Sequence, residues 1–456
     1  MDKSNKSYTK YLKKMKECCN FYDPANILLD MLDRQDIKDY TFIKTTITAV
    51  LPIITSYVLW VLKNAEQMKI KVLYFLARDG HIMYKIASEF CKEYDIPVVC
   101  KYLYCSRYSL RKPLYFIDKT EAMKRLCTYE INISPQRILD KLDFSEEEKD
   151  LIFSDIGMSD EDRDRSLTIK GLENIRKKLE SSNLFDKIAT RTSQKAYQEI
   201  IQYFRQEGLF DDVDYAFVDS GWAGTTQRSI RFLLENETKK RMLLKGFYFG
   251  LYNRPKTEDG EYYSFYFGPE NNPGRGIMFN NSLFECLCFT DHGMTIGYRL
   301  ENSKWSPILN DHKKGHDFDR QTEILFSFLK EMIKYNKYSQ IRYHDLARHI
   351  EPVIKSFMCN PSRLEAEVYG SMIFSDNTKE EHSSPLARTL TKKELVKELV
   401  PIKLYYKLVS KREYGELVQS YWIEGSISQL KTLPKIIFKL NNLIIYLLKT
   451  MSMVKK

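Results

Sequence analysis

Lys71-Val-Leu-Tyr-Phe-Leu-Ala-Arg-Asp-Gly80 decides how the rest of the chain is read. Lys71 to Leu76 is a short apolar run with β-branched and aromatic content, the composition of a buried strand. Ala77-Arg-Asp-Gly80 is polar and turn-forming, and His81 to Tyr94 carries a helical pattern. Ile96 to Tyr104 reads as a second strand, ending at Cys105-Ser-Arg107, and residues 46–66 upstream read as a helix. Strand, polar loop, helix, strand is the rhythm of a parallel sheet.

The rhythm stops between Leu114 and Gly208, where charge is dense and strand signal weak. Ser134-Pro135 marks a helix start with Pro at the first helical position, and Ser145-Glu-Glu-Glu148 is a capping-box pattern. The α/β pattern returns with a strand at Tyr215-Ala-Phe-Val218. Asp219-Ser-Gly-Trp-Ala-Gly-Thr-Thr226 follows as a loop opening a helix to about Leu234, and Leu243 to Tyr252 reads as a further strand. Asn271-Asn-Pro-Gly274 marks a loop, and beyond Lys304 the chain reads as mostly helical. The expected fold is α/β: a Rossmann-like parallel sheet with a helical insertion and a mostly helical C-terminal region. The segments are a helical 1–44, a discontinuous core of 45–112 and 209–303, an insertion or cap at 113–208, a helical 304–430 and a basic amphipathic tail at 431–456.

Composition narrows the class. The 456 residues carry 71 Lys+Arg against 61 Asp+Glu, a net charge of +10, and the 31 Tyr and 25 Phe exclude a disordered chain. The positive charge is spread out and no Arg-rich arm is present, so a nucleic-acid partner is not expected. A basic excess instead favours a phosphate-bearing substrate or an anionic membrane surface. The nine cysteines include no C-x2-C pair; adjacent Cys18-Cys19 and the closely spaced Cys286 and Cys288 match no usual zinc pattern. Reduced thiols in a cytoplasmic protein are expected. Met1 to Lys16 is polar and lysine-rich with no apolar stretch behind it, so no secretory signal is expected.

Thr45 to Leu62 is uncharged but contains Pro52 and several hydroxyl residues, so it is expected to be a buried helix, not a membrane span. Leu433 to Lys456 is strongly apolar and interspersed with lysines. Two readings stay open for it: an amphipathic helix lying peripherally on the inner face of the plasma membrane, or a terminal helix docked on the protein's own core.

Ligands of open parallel sheets bind at the carboxyl ends of strands, and four polar clusters fall there. In Asp219 to Thr226, Gly221 and Gly224 allow close backbone approach, while Ser220, Thr225 and Thr226 offer hydroxyls beside a helix N-terminus, a combination that suits phosphate. The cluster is neither a Walker A loop nor G-x-G-x-x-G. In Arg78-Asp79-Gly80-His81, Arg78 can hold a phosphate, and Asp79 can bind Mg2+, act as base or attack phosphorus. Ser106-Arg107 adds a second guanidinium. Glu285 through His292-Gly293 adds an acid and a residue that titrates near neutrality. The blander reading is an Asp-Gly turn, a capped βα turn and a structural histidine. His312, His316, His344, His349 and His382 read as surface residues.

Taken in order, Tyr74-Phe-Leu-Ala-Arg-Asp-Gly80, Tyr102-Leu-Tyr-Cys-Ser-Arg107, Phe217-Val-Asp-Ser-Gly-Trp-Ala-Gly-Thr-Thr-Gln227 and Glu285 to Gly293 resemble a family. It is the predicted haloacid-dehalogenase-like (HAD-like) hydrolases of bacterial surface-polysaccharide gene clusters, and the likeness covers roughly residues 45–300. The resemblance implies a Rossmann-like core with a helical cap and Mg2+-dependent phosphoryl transfer through an aspartate. The superfamily's Asp-x-Asp is missing: Gly221 stands two residues after Asp219, and His81 two after Asp79.

Three readings follow. The first is an enzyme of capsule, lipopolysaccharide or teichoic-type polymer assembly acting on a phosphorylated or nucleotide-activated sugar. In it Asp79 and Asp219 serve as Mg2+ ligand, base or nucleophile, Arg78, Arg107, Thr225 and Thr226 hold phosphate, and Glu285 and His292 supply acid/base chemistry. The second is a glycosyl- or phosphoribosyl-type transferase with no covalent aspartyl intermediate. The third is a non-catalytic sugar-phosphate-binding or scaffold protein.

Overall fold

β1 (Val72–Leu76) is flanked on both sides by parallel partners, with Val72 opposite Val99 on one side and opposite Tyr215 on the other. The computed structural model describes residues 5–15, 19–30, 37–128, 133–253, 255, 257–288, 290–310, 318–375, 384–397, 399–401 and 420–454. Together with β2 (Val99–Leu103), β3 (Tyr215–Trp222), β4 (Lys245–Leu251) and β5 (Glu261–Phe267), β1 makes a wholly parallel sheet of order β2-β1-β3-β4-β5. Fold class and sheet type are as the sequence implies. The strand order is that of the doubly wound sheets whose switch point lies between the first and third strands.

Side chains of β1 alternate between two cores. Leu73 and Phe75 pack on one face of the sheet, while Tyr74 and Leu76 pack on the other. Helix α1 (Leu51–Gln67) covers the first face, and every residue from Leu51 to Leu59 is buried. It continues a helix begun at Ile37 through a π-helical stretch, Thr46–Val50. The run Lys38–Gln67 is long and apolar enough to cross a membrane, yet 94% of its most apolar window is buried inside the protein. It is thus the buried helix leading into β1. The same core takes in Tyr11 and Phe21 from the N-terminal helices and Phe328, Phe357 and Trp422 from beyond residue 318.

The Tyr57 hydroxyl of α1 lies 2.9 Å from the Asp219 carbonyl oxygen and 2.7 Å from that of Phe247, tying the helix to β3 and β4. Tyr57→Phe leaves both carbonyls facing a ring edge in a buried place. The expected loss is about 1–3 kcal/mol, read as a lower urea midpoint at unchanged slope.

α2 (Gly80–Glu93) links β1 to β2, and the short α3 (Arg107–Arg111) follows β2. Among the described residues of 114–208 the regular elements are all helices. Ser134 caps a helix with Pro135 at its first turn, and Ser145 and Glu148 form a reciprocal capping box, both as the sequence predicts. This insertion has its own apolar core, including Ile138, Ile152, Leu179 and Phe185. Its last helix, α4 (Asn183–Glu207), starts in that core at Phe185 and ends on the second face of the sheet with Tyr203 and Phe204. One long helix therefore belongs to both packing units.

The structure corrects three sequence readings. β3 does not end at Val218 but runs on to Trp222, because Asp219, Gly221 and Trp222 continue the ladder to Tyr248, Gly250 and Leu251. The facing glycines let the strands stay close: a Cβ on Gly221, at φ +112°, would strike the Gly250 carbonyl oxygen. Second, β5 has no counterpart in the sequence reading; it is an edge strand, half-exposed over its first four residues, and lacks the unbroken apolar run of a central parallel strand. Third, the chain beyond Lys304 opens with a strand. β6 (Thr295–Glu301) and β7 (Lys304–Leu309) form an antiparallel hairpin whose turn residues, Asn302 and Ser303, have φ +50° and +63°. An Asn-Ser turn lacks the glycine that usually advertises such a hairpin.

Candidate active site at the carboxyl ends of β1 and β3

Asp79 stands three residues past the end of β1, at the N-cap position of α2, with helical dihedrals. Its carboxylate does not cap the helix. Instead Oδ2 accepts a hydrogen bond from the buried Ser220 hydroxyl of β3, across the switch point. Gly80 is required here by space: a Cβ would sit 2.9 Å from the Phe75 carbonyl carbon.

Asp219 lies next to Ser220, and its Oδ1 accepts that residue's N–H at 2.9 Å. The helix-capping role that a βα turn would give Asp219 is thus not taken, because the strand runs on past it. The third acid comes from outside the sheet. Glu285 is on α6 (Asn281–Leu287), and its Oε1 accepts the Trp222 indole N–H at 2.6 Å. Trp222, at φ +73°, is held between Phe267 (ring centroids 6.3 Å) and Phe279 (5.4 Å). The sequence reading passed over Trp222 as an orienting group, although it lies inside the quoted Asp219 motif.

These carboxyls feel one another. Burial raises Asp219 to about 7, and the Asp79 charge adds to the rise. Burial likewise raises Glu285 to about 8, with Asp79 next and Asp219 also contributing, against the Trp222 hydrogen bond and Arg107. Asp79 is raised by burial too, but the Ser220 hydroxyl and the guanidinium groups of Arg78 and Arg107 oppose the rise. Asp79 is the acid whose rise both guanidinium groups oppose, and burial, helped by the Asp79 charge, holds Glu285 above neutrality. All three acids keep part of their surface exposed. Arg78 is half-buried and Arg107, the first residue of α3, is exposed at the rim.

A raised carboxyl makes folding less favourable as pH climbs. Between the unfolded value of about 4 and the folded value of about 7, the folded state holds more protons than the unfolded one. Asp219 thus costs nothing below that window and its full penalty above it. Asp219→Asn removes the penalty and keeps an oxygen for the Ser220 N–H. The variant is expected to be more stable than wild type by at least about 1 kcal/mol at pH 8 and unchanged at pH 4, one pKa unit being worth about 1.4 kcal/mol. Urea unfolding at both pH values measures this.

The histidines form an aromatic wall beside the acids. His81, buried at the start of α2, packs against Tyr102 at 5.2 Å, His292 at 5.6 Å and Phe318 at 6.1 Å, and its Nε2 is 3.8 Å from an Asp291 carboxylate oxygen. His292 Nδ1 is 2.8 Å from the Gly293 carbonyl oxygen, which only accepts, so Nδ1 carries the proton and Nε2 accepts from the Tyr102 hydroxyl at 2.8 Å. Tyr102 in turn feels the charges of Asp79 and Arg78. His292 is thereby hydrogen-bonded to Tyr102, the residue that feels the Asp79 charge.

Of the other expected phosphate ligands, Ser106 is already engaged. The Ser106 hydroxyl caps α3, accepting the Ser109 N–H at 2.9 Å, and donates to the Thr295 carbonyl at 2.6 Å. Gly224, at φ +63°, lies against the Tyr262 ring, which a Cβ would approach to 2.6 Å. Thr225 and Thr226 begin α5 (Thr225–Thr238), and among the described residues no hydrogen bond joins their side chains to Asp79, Asp219 or Glu285. The four extra residues of β3, Asp219 to Trp222, leave only Ala223 and Gly224 between the strand and that helix start. His344 is exposed and His349 half-buried, whereas His312, His316, His382 and Cys18 lie outside the described residues.

The Mg2+ that the resemblance implies finds little support in the donor set. Among the described residues no group of three or more His, Cys, Asp or Glu side chains could hold a metal ion. One oxygen each of Asp79, Asp219 and Glu285 is already engaged by a hydrogen-bond donor. The positive charge that reaches Asp79 comes from Arg78 and Arg107. Compared with family models and with curated proteins, the chain matches none.

Proposed function

We propose that the crevice between β1 and β3 catalyses group transfer from a phosphorylated or nucleotide-activated sugar, as a HAD-like phosphohydrolase or phosphotransferase of surface-polysaccharide assembly. The observation that carries the chemistry is the meeting of Asp79, Asp219 and Glu285 with the charges of Arg78 and Arg107. The polysaccharide context rests on the resemblance alone.

In this reading Arg78 and Arg107 bind phosphate oxygens, and the α2 N-terminus adds its positive end. An Asp79 oxygen attacks phosphorus, forming a P–O bond to the aspartate and breaking the P–O bond to the sugar. Glu285, protonated at neutrality, gives its proton to the departing sugar oxygen. A water or acceptor hydroxyl then attacks phosphorus, returns its proton to Glu285 and frees Asp79. Ser220 holds the second Asp79 oxygen throughout.

That no three-ligand metal group is present among the described residues favours a second reading, glycosyl transfer from a nucleotide sugar. There Arg78 and Arg107 neutralise the diphosphate leaving group, and Asp79 takes the proton of the acceptor hydroxyl. The experiment is product analysis with sugar phosphates and nucleotide sugars, with and without chelator, together with acid trapping of phospho-aspartate at Asp79. A trapped phospho-aspartate supports the first reading. Sugar transferred with no trapped intermediate supports the second. Binding without turnover of any substrate sinks both and leaves the sugar-phosphate-binding role.

A further inference from the structure

The C-terminal helix is mounted inside out. α7 (Thr432–Val454) turns Phe438, Asn441 and Asn442 towards the protein, where all are buried. Its polar groups do the docking. Asn441 Oδ1 accepts the Val400 N–H at 2.8 Å, Lys435 Nζ donates to the Ser428 carbonyl at 3.0 Å, Lys439 bonds Asn360 and Tyr446 bonds Glu424. The opposite face is apolar and open. Leu433, Ile436, Leu440, Leu443, Leu447 and Met451 are each between 52 and 70% exposed. Their spacing of three or four residues makes one continuous stripe along the helix.

A soluble helix normally buries such a stripe and exposes its amides; here the order is reversed. Charge says what covers it. Residues 431–456 contain six lysines and no acidic residue. Lys431, just before the helix, and Lys439 and Lys449 on it are exposed, and Lys435 feels the positive charges of Lys439 and Arg363. A second copy seated on this face would bring together two lysine-bearing segments with no carboxylate side chain in either to pair them. An anionic lipid surface satisfies both features at once: acyl chains take the stripe and headgroups take the ammonium groups.

We infer that α7 is an interfacial anchor, lying in the plane of an anionic bilayer with its leucine-rich stripe in the lipid and its asparagine face holding the protein. The inference is independent of the chemistry proposed for the crevice. Of the two sequence readings of this tail, it takes the membrane surface, while the docking on the body uses the polar side of the helix.

The test is flotation of the full chain with vesicles of phosphatidylcholine containing about one-third phosphatidylserine, and with pure phosphatidylcholine. Wild type is expected to float with the anionic vesicles, to float less with the neutral ones, and to be released by salt. Leu440→Glu with Leu447→Glu, at exposed positions, is expected to cut partition at least about tenfold with an unchanged melting curve. Wild type that stays unbound, or a double variant that floats equally well, overturns the inference. So does a wild-type dimer in lipid-free solution that the same double variant splits, because the stripe then serves a second copy.

Discussion

Asp79→Asn is expected to lower kcat/KM by at least about a thousandfold, or about 4 kcal/mol of transition-state stabilisation, with the fold intact. The substitution keeps the shape and an oxygen for the Ser220 hydroxyl, so structure should survive. It removes the one carboxyl whose charge organises the site. Asp79 is the anion that Arg78 and Arg107 face, and its charge helps hold Asp219 and Glu285 protonated. The loss should therefore appear in kcat as well as KM, and the pH profile should change with it. In wild type, activity rises as Asp79 ionises and falls as Glu285 loses its proton near its value of about 8. Glu285→Gln should slow turnover about a hundredfold and flatten that alkaline limb, because no proton is then left to lose. Full turnover in Asp79→Asn would remove the proposed roles altogether. Steady-state kinetics from pH 5 to 9, with circular dichroism of each variant, measures both effects.

Gly221→Ala is expected to produce the largest loss of stability from a single added methyl group, about 3 kcal/mol or more. Two independent costs combine. The φ of +112° is one that side-chain-bearing residues rarely adopt, and the new Cβ would strike the Gly250 carbonyl oxygen, which is backbone and cannot swing away. To relieve it β3 must part from β4, and Asp219 and Ser220 sit in that same stretch of strand. The variant should then lose activity at temperatures where it is still folded. Gly274→Ala is the control, because nothing lies within 4 Å of its added Cβ. Its urea midpoint should match wild type to within about 0.5 kcal/mol. Equal midpoints for Gly221→Ala and wild type would show that the two strands do not need their facing glycines.

Much of this architecture is legible locally. The apolar run before Arg78-Asp79-Gly80, the caps at Ser134 and Ser145 and the helical stretch 114–208 all depend on neighbours a few residues away. Asp79 and Asp219 are legible for a similar reason: strand ends place their side chains at one edge of a parallel sheet, whereas Glu285 arrives on a helix outside it. The failures share one cause as well. β3 outlasts its apolar run because β4 pairs with it, so that Asp219 and Ser220 belong to the strand and not to a loop. The turn at Asn302-Ser303 takes positive φ without glycine because the β6–β7 ladder holds it there.

The amino-acid sequence by itself determined the parallel α/β core, the helical insertion and which strand ends carry acids and guanidinium groups, since periodicity and capping act over one or two turns. Only the tertiary structure decided that Trp222 aims Glu285, that Ser220 binds Asp79 across the switch point, and that the tail docks by its amides and leaves its leucines outside. Those contacts join residues 63, 141 and 41 positions apart. Their partners are chosen by packing and desolvation in three dimensions, which no local pattern encodes.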